Sequence, residues 1–527
     1  MINAPFLPFF LKSPRCHCLR RPAVTGMAAL AVLTWLPQCA DALPAFPGAE
    51  GVGAGATGGA RVPGRKPVVY HVTTLDDSGP GTFRDAVSAP GRIVVFDVGG
   101  AIHLAAGSPV SVAGDLTIAG ETAPGGGIAI DGAEVSFSNR RNIICRHIRF
   151  RQTTRDPERR KSAVGMDSAS DIIMDHVSIE FGQWDNIDCN RSSAVTFQEV
   201  IDADPIGQKF NAHADSDVTW YRNLWSSAHN RNPLAKGNIE YVNNVLYNFQ
   251  AGFTAHTDGV FSMDIVNNCF VYGPAGRPGT PFFQIGGKIS IYGAGNYLMP
   301  NKDGTLRGAA LAVPGAHPLS APWNAAVTNS LPTLSAVDAW AWVVSTAGAL
   351  PWNRDPVDAQ VIDEARSLGA KGRSWSSEAE TGLPEGGLGE LAAARRDADA
   401  DGVPAYWKAA MTRGGSTAAY DALAPSASGY LNIEDYLHFM AAPHAVTMRD
   451  MPVAIDLSRF ASGFLHPVFS IGRVVNGSVA IAPDGHTAQF NPARNFAGLG
   501  QFDFAVPYPD GAQAAFTVNV CVSSVAP

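Results

Sequence analysis

The stretch Asn142-Ile-Ile-Cys-Arg-His-Ile-Arg-Phe150, answered by Asp171-Ile-Ile-Met-Asp-His-Val-Ser-Ile179, decides how this chain folds. Each segment is a β-branched strand, a polar residue where the chain bends, and a second short apolar strand. Four more segments repeat the design: Ala194-Val-Thr-Phe-Gln-Glu-Val-Ile201, Asp217-Val-Thr-Trp-Tyr-Arg-Asn-Leu-Trp225, Asn238-Ile-Glu-Tyr-Val-Asn-Asn-Val-Leu-Tyr247 and Phe261-Ser-Met-Asp-Ile-Val-Asn-Asn-Cys-Phe270. The bends fall at His147, His176, Glu199, Asn223, Asn244 and Asn268, spaced by 29, 23, 24, 21 and 24 residues. That period, without helical periodicity, predicts the coils of a solenoid. One coil does not bury its own apolar face, so stacked coils must share one core. Asn residues at the same bend of successive coils stack and bond to each other. Asn223, Asn244 and Asn268 are therefore read as structural, and His176 as a satisfied histidine in a bend.

Upstream, Pro47 to Leu104 is glycine-rich and then alternates apolar and polar residues. Gly79-Pro-Gly-Thr82 leads into Phe83-Arg-Asp-Ala-Val87, with Thr82 as the N-cap of a short helix. Such a helix covers the open end of a solenoid. Beyond Asn329 helical spacing appears over Ser335–Ala347 and Pro356–Leu368. Asp397-Ala-Asp-Ala-Asp-Gly402 follows, and then Trp407 and Tyr430-Leu-Asn-Ile-Glu-Asp-Tyr-Leu437. From Pro452 the pattern is β-like, with Val475-Asn-Gly-Ser478 as a turn and Phe502-Asp-Phe-Ala-Val506 as a strand, enough for one β-sandwich. The expected divisions are 1–42, 43–330, 331–445 and 446–527.

Only 16 % of the 527 residues are charged, while Gly (54) and Pro (37) are abundant, which suits a turn-rich β protein. A net charge of −8 excludes a global basic field for nucleic acid. The N-terminus reads as an export signal. Lys12, Arg15, Arg20 and Arg21 precede the apolar run Ala23–Leu36, and Ala40-Asp-Ala42 is a cleavage site. The run is too short for a comfortable membrane span. Secretion is expected, with the periplasm or cell surface as alternatives, and the chain is expected to be a monomer. Four cysteines follow residue 42: Cys145, Cys189, Cys269 and Cys521. They read as small buried side chains rather than a disulfide framework, with a Cys145–Cys189 pair left open.

Ala45-Phe-Pro-Gly-Ala-Glu-Gly51, Asp77-Ser-Gly-Pro-Gly-Thr-Phe-Arg84 and Gly120-Glu-Thr-Ala-Pro-Gly125 resemble the opening of bacterial pectate lyases of polysaccharide lyase family one. Asp175-His176, and Asn230-Arg-Asn-Pro233 followed by Lys236, look like that family's later signatures. The resemblance covers roughly residues 45–380, and it is the order of these motifs along one chain that is specific. It implies an all-β fold: a right-handed parallel β-helix, here with a small helical segment and a C-terminal β-sandwich. The last module, with Asn476-Gly-Ser-Val479 and Asp484-Gly-His-Thr-Ala-Gln-Phe-Asn-Pro492, is similar to cadherin-like repeats.

The implied substrate is acidic plant cell-wall polysaccharide, and the implied reaction is β-elimination. The C5 proton of a uronate is poorly acidic, and a cation on the adjacent carboxylate stabilises the developing enediolate. Ca²⁺ suits this because it takes oxygen ligands in flexible geometry. By resemblance Asp185 and Asp188, just before the strand at Ala194, are the calcium ligands, with Asp167 and Glu180 as lesser candidates. The family carries a further acid where this chain has Ser162. Arg231 matches the family's base for the C5 proton. An arginine base is awkward, since guanidinium stays protonated unless burial or nearby cations lower its pKa; stabilising the carbanion is the alternative role. Lys236 stands for a second Arg, which keeps the charge but loses the bidentate fork. Lys209, His229 and Asn230 are the remaining substrate contacts. Asp397, Asp399 and Asp401 start a second calcium loop, whose twelfth position is Lys408 rather than Glu. Paired-carboxylate hydrolase motifs are absent. A pectin or other uronate lyase, and a noncatalytic polysaccharide-binding adhesin, are the competing readings.

Overall fold

Ile172 lies between Ile143 of the preceding coil and Val195 of the next, and Met174 lies between Cys145 and Phe197. The same parallel register recurs through the repeat region, because apolar residues at fixed positions meet only when coils stack without slipping. In the computed structural model, which describes residues 43–215, 217–275, 280–388 and 400–526, three strands per coil build sheets of eleven, ten and eight strands. Pairing along these sheets is parallel except at one end of the ten-stranded sheet, where Tyr297–Met299 meets Ala309–Ala310. This is the parallel β-helix expected. The export leader expected over residues 1–42 lies outside the described residues. No helix among the described residues is long and apolar enough to cross a membrane.

The interior is a single column of stacked side chains. Val195, Phe197, Val218 and Trp220 are all buried, and the Phe197 and Trp220 rings stack 4.3 Å apart. Cys145, Cys189, Cys269 and Cys521 are buried and in no disulfide, so the pair left open between Cys145 and Cys189 does not form.

The bend column differs by one residue from the sequence alignment. Register places Gln198 against Tyr221, so Glu199 stands beside Arg222 rather than Asn223. The bend residues are His147, His176, Glu199, Arg222, Asn243 and Asn267, all left-handed with φ between 51° and 57°. Asn223, Asn244 and Asn268 lie one residue further on and form a buried ladder that continues to Asn296. Asn223 Nδ2 donates to Asn244 Oδ1 at 3.0 Å, Asn244 to Asn268 at 3.1 Å and Asn268 to Asn296 at 2.9 Å. Each Oδ1 also accepts the backbone N–H of the preceding rung. A second ladder, Asn186–Asn211–Asn232, runs down another corner with links of 3.3 and 2.7 Å.

Two of the three outer faces are covered. The glycine-rich arm lies flat on the eleven-stranded sheet, where Gly53 N–H donates to Thr196 Oγ1 at 2.8 Å. A Cβ on Gly53 would stand 2.3 Å from Ile172 O, so only glycine approaches that closely. Thr82 caps the short helix Phe83–Ala86 as expected. The helices Ala336–Thr346 and Pro356–Arg366, capped by Ser335 and Asp355, pack on the ten-stranded sheet through Trp340, Val344 and Val361. A fully buried ion cluster fastens the start of the second helix. Arg149 Nε lies 3.0 Å from Asp358, Arg151 Nη1 2.6 Å from Asp355, and Arg151 Nε 2.7 Å from Glu180. Glu180 therefore does not serve as the calcium ligand expected of it: it belongs to the ten-stranded sheet, and its carboxylate is taken by Arg151. The C-terminal stretch forms a four-stranded and a three-stranded sheet, with Phe490, Phe502, Phe504 and Val518 between them and the helices. Asn476, at φ 58°, turns the chain from Ser470–Val475 in one sheet to Gly477–Ile481 in the other.

Arg151→Met should cost about 3–5 kcal/mol in urea unfolding, because it leaves buried Glu180 without a cation and takes the nearer of two from Asp355. Asn244→Ala, which removes one ladder rung, should cost about 1–3 kcal/mol. A loss under about 1 kcal/mol for Arg151→Met would mean that the cluster does not hold the second helix.

Candidate active site on the eight-stranded sheet

The uncovered face is the eight-stranded sheet. Asp185 and Asp188, expected ahead of a strand, lie within one, Asp185–Asn190. The two carboxylates meet different partners. Asp188 sits between Gly165 of the coil before and His213 of the coil after. His213 Nδ1 lies 3.2 Å from Asp188 Oδ1, and Asn190 Nδ2 donates to the same oxygen at 2.7 Å.

Asp185 is fully buried and receives Arg231. Nη1 of Arg231 lies 3.0 and 2.9 Å from the two carboxylate oxygens. The guanidinium rests over the Phe210 ring, 4.0 Å from its centre. Burial pushes the Asp185 carboxyl up to about 7; Arg231 opposes that shift and Asp188 adds to it. Arg231 reaches this position from a left-handed bend, φ 63°, immediately before Asn232 of the second ladder.

The structure brings only some of the predicted contacts together. Lys236 is half-buried on the same face, beside His256, Thr257 and Gln284. The His256 imidazole is held below its ordinary range by partial burial, then by Lys236, Arg231 and His213. Lys209 Nζ turns to Ser376 Oγ at 3.3 Å. His229 is exposed and its ring stacks on Phe210 at 6.2 Å. Asn230 serves its own loop, with Oδ1 accepting from Arg231 N and Thr254 Oγ1, both at 2.6 Å. Asp167 is half-exposed and bonded to Arg191 at 2.7 and 2.5 Å. Asp401 is 2.8 Å from Lys408 Nζ, so an ammonium stands where the loop would need its twelfth-position ligand. Asp397 and Asp399 lie outside the described residues.

Glu134 was not singled out in the sequence, because it comes from an earlier coil with no motif around it. Its carboxylate extends across Gly165 towards Asp188. A Cβ on Gly165 would be 2.2 Å from Glu134 Oε1. Burial raises the Glu134 carboxyl; Lys161, 3.4 Å away, lowers it, and Asp156 and Asp188 raise it further. The cradle above Gly165 thus holds an acid close to Asp188 in the coil where the chain carries Ser162. Asp188 and Glu134 offer the kind of oxygen donor that a hard cation takes.

Three curated relatives carry the name probable pectate lyase C. The one from Aspergillus flavus is 37 % identical over 412 residues, covering 75 % of this chain and 93 % of that protein. Those from Neosartorya fischeri and Aspergillus terreus are 37 % and 35 % identical over 432 and 426 residues, covering 79 % and 77 % of this chain and 97 % and 96 % of theirs. Two solved structures align with 57 % of the chain. They are the major allergen from cedar pollen (TM-score 0.41, 16 % identity, 93 % of that chain) and a pectate lyase from Paenibacillus sp. 0602 (TM-score 0.38, 13 % identity, 95 % of that chain). No family model matches the sequence.

The raised Asp185 pKa has a stability consequence. The folded chain binds this proton where the unfolded chain does not, so the contribution is full below the ordinary value and is lost as pH rises through about 7. Arg231→Ala removes the group that lowers the pKa, so stability should fall more steeply from pH 4 to 8 than in the parent. Asp185→Asn should flatten the dependence. Thermal melts across that range in calcium-free buffer check both, and identical slopes in the three proteins would refute the assignment.

Proposed function

The chain belongs to the pectate lyase family, and we propose that it cleaves polygalacturonate by calcium-assisted β-elimination, with Arg231 acting at C5. The observation that carries the reading is the Arg231–Asp185 pair, which lies on the open sheet beside Asp188, Lys236 and His256.

On this reading Asp188 and Glu134 hold the calcium ion, which neutralises the uronate carboxylate and stabilises the enediolate. The residues of the chain do the rest. A guanidinium is a poor base while fully protonated. Here one nitrogen, Nη1, faces both oxygens of a buried carboxylate. Asp185 takes the Nη1 proton first, and the neutral guanidine it leaves has a lone pair that takes the C5 proton, so Arg231 ends as a guanidinium and Asp185 ends protonated. The electron pair of the C5–H bond forms the C4=C5 double bond, and the O4 oxygen leaves and is protonated by water. Lys236 attracts a neighbouring uronate as a point charge rather than a fork. Phe210 keeps the guanidinium flat at its post.

Residues 1–42 serve as the export leader and the enzyme works outside the cell. Residues 43–330 carry the chemistry, 331–445 brace it, and the cadherin-like module at 446–527 packs on that brace. The motifs resemble bacterial enzymes and the curated relatives are fungal, so the reading is of the family and not of a lineage.

Ultraviolet absorbance of unsaturated product on polygalacturonate tests the reading. It should rise with Ca²⁺ and stop with chelator. Arg231→Ala should lower kcat by about 10²–10⁴-fold, and Asp188→Asn or Glu134→Gln should weaken calcium binding by about tenfold or more in calorimetry. Folded protein that yields no unsaturated product from pectate, methylated pectin or alginate would overturn it.

A further inference from the structure

A cleft of about 930 Å³, larger than the space around Lys236, opens along the bends of the eleven-stranded sheet. It shares no lining residue with that space. Its walls come from the N-terminal arm, the bends, the helical segment and the C-terminal sheets. Enclosed clefts of this size with apolar walls and a few fixed polar groups are ligand sites in proteins generally.

The floor is a chain of alternating charges. Arg146 lies 2.7 Å from Asp175, which lies 3.0 Å from His176; His176 lies 2.8 Å from Glu199, and Glu199 lies 3.7 Å from Arg222. The two carboxylates hold the His176 imidazole protonated against the effect of burial. Glu50, beside Arg222, and Asp435 bring the acids lining the cleft to four against three cations. Arg146 and His176 are held at hydrogen-bond distance by carboxylates, and Arg222 donates to Pro332 O at 2.8 Å beside Glu199, so among the described residues the wall has no excess of positive charge to recruit a carboxylate. Above the floor stands Trp352, a half-buried indole. The rings of His147, His444 and Phe460 meet it at 54°, 82° and 47°, so none of them lies flat on it.

We propose that this cleft is a second carbohydrate site, which takes a short neutral oligosaccharide and leaves acidic ones to the groove at Arg231. A sugar ring offers an apolar C–H face to Trp352 and hydroxyl edges to a floor that presents both donors and acceptors. An anionic uronate would meet a wall in which acids outnumber cations, and its desolvation would go uncompensated. The proposal rests on the polysaccharide-lyase reading only in expecting a sugar; the site itself is independent of Arg231.

Calorimetry and tryptophan fluorescence on the full chain, with neutral gluco-, xylo-, galacto- and arabino-oligosaccharides, test it against oligogalacturonate in an Arg231→Ala background. At least one neutral probe should bind saturably and change tryptophan emission. Trp352→Ala should weaken that binding tenfold or more. Ala515→Trp fills the cleft from an exposed strand position and should abolish binding while the melting temperature persists and, with Arg231 intact, so does turnover on polygalacturonate. If turnover itself is absent, the lyase reading fails and the binding result still stands. Saturation by none of the neutral probes, binding that Ala515→Trp leaves intact, or a preference for oligogalacturonate that Ala515→Trp removes, would each overturn the proposal.

Discussion

The stacking of coils that do not bury their own apolar faces is the constraint on which the rest of this structure depends. It fixes the register, since Met174 finds its place only between Cys145 and Phe197. Register in turn lines up every outward side chain into columns. The Asn223–Asn244–Asn268–Asn296 ladder is one such column, and it answers a cost of the design. A parallel solenoid turns sharply at each coil and leaves turn amides to satisfy, and a carboxamide stacked on the next supplies a donor and an acceptor to each. The Asp188–His213 contact is another column, made by the same geometry and put to different use.

Buried charge appears in two arrangements. In the cluster of Arg149, Arg151, Glu180, Asp355 and Asp358 the acids and bases close on one another without solvent exposure. Its desolvation is costly and its geometry is specific, which suits an element that must seat a helix in one place only. At Arg231 the acid is buried and the base is partly exposed, with side-chain exposures of 0 % and 19 %. One end of that pair is anchored and the other faces the open sheet, so charge can be delivered outward. The difference between a brace and a reactive group is here one of exposure and not of residue type.

The sequence makes the solenoid legible because its period appears in six strands of the same face, and periodicity survives local irregularity. It places the bends only to within one residue. Glu199, His176 and His147 are themselves the bends, whereas in later coils the left-handed residue is Arg222, Asn243 or Asn267 and the ladder Asn follows it. Polarity marks a bend region; it does not say which residue takes the positive φ. The site was half legible. Arg231, Lys236, Asp185 and Asp188 stand out through motif and spacing, and they gather on one sheet. Glu180 is misread because a strand position does not reveal which of three sheets it joins. Glu134 is missed for the complementary reason. Its role depends on the absent Cβ of Gly165, a residue from the next coil, and such a gap has no signature near Glu134 itself.

An acidic protein that acts on an acidic polymer must solve an electrostatic problem locally. The chain carries a net charge of −8, yet the open sheet presents Arg231, Lys236 and His256 side by side. Asp185 sits behind Arg231 and Glu134 behind Lys161, so the carboxylates lie deeper and the cations further out. This layering lets the groove attract uronates while it keeps acids in reserve for a proton or a metal ion. The Glu134 side chain reaches over the next coil because that coil carries Gly165 there. Stacked coils can exchange residues between rungs in this way without altering register, so the position of a functional group in such a fold is better defined in space than in sequence.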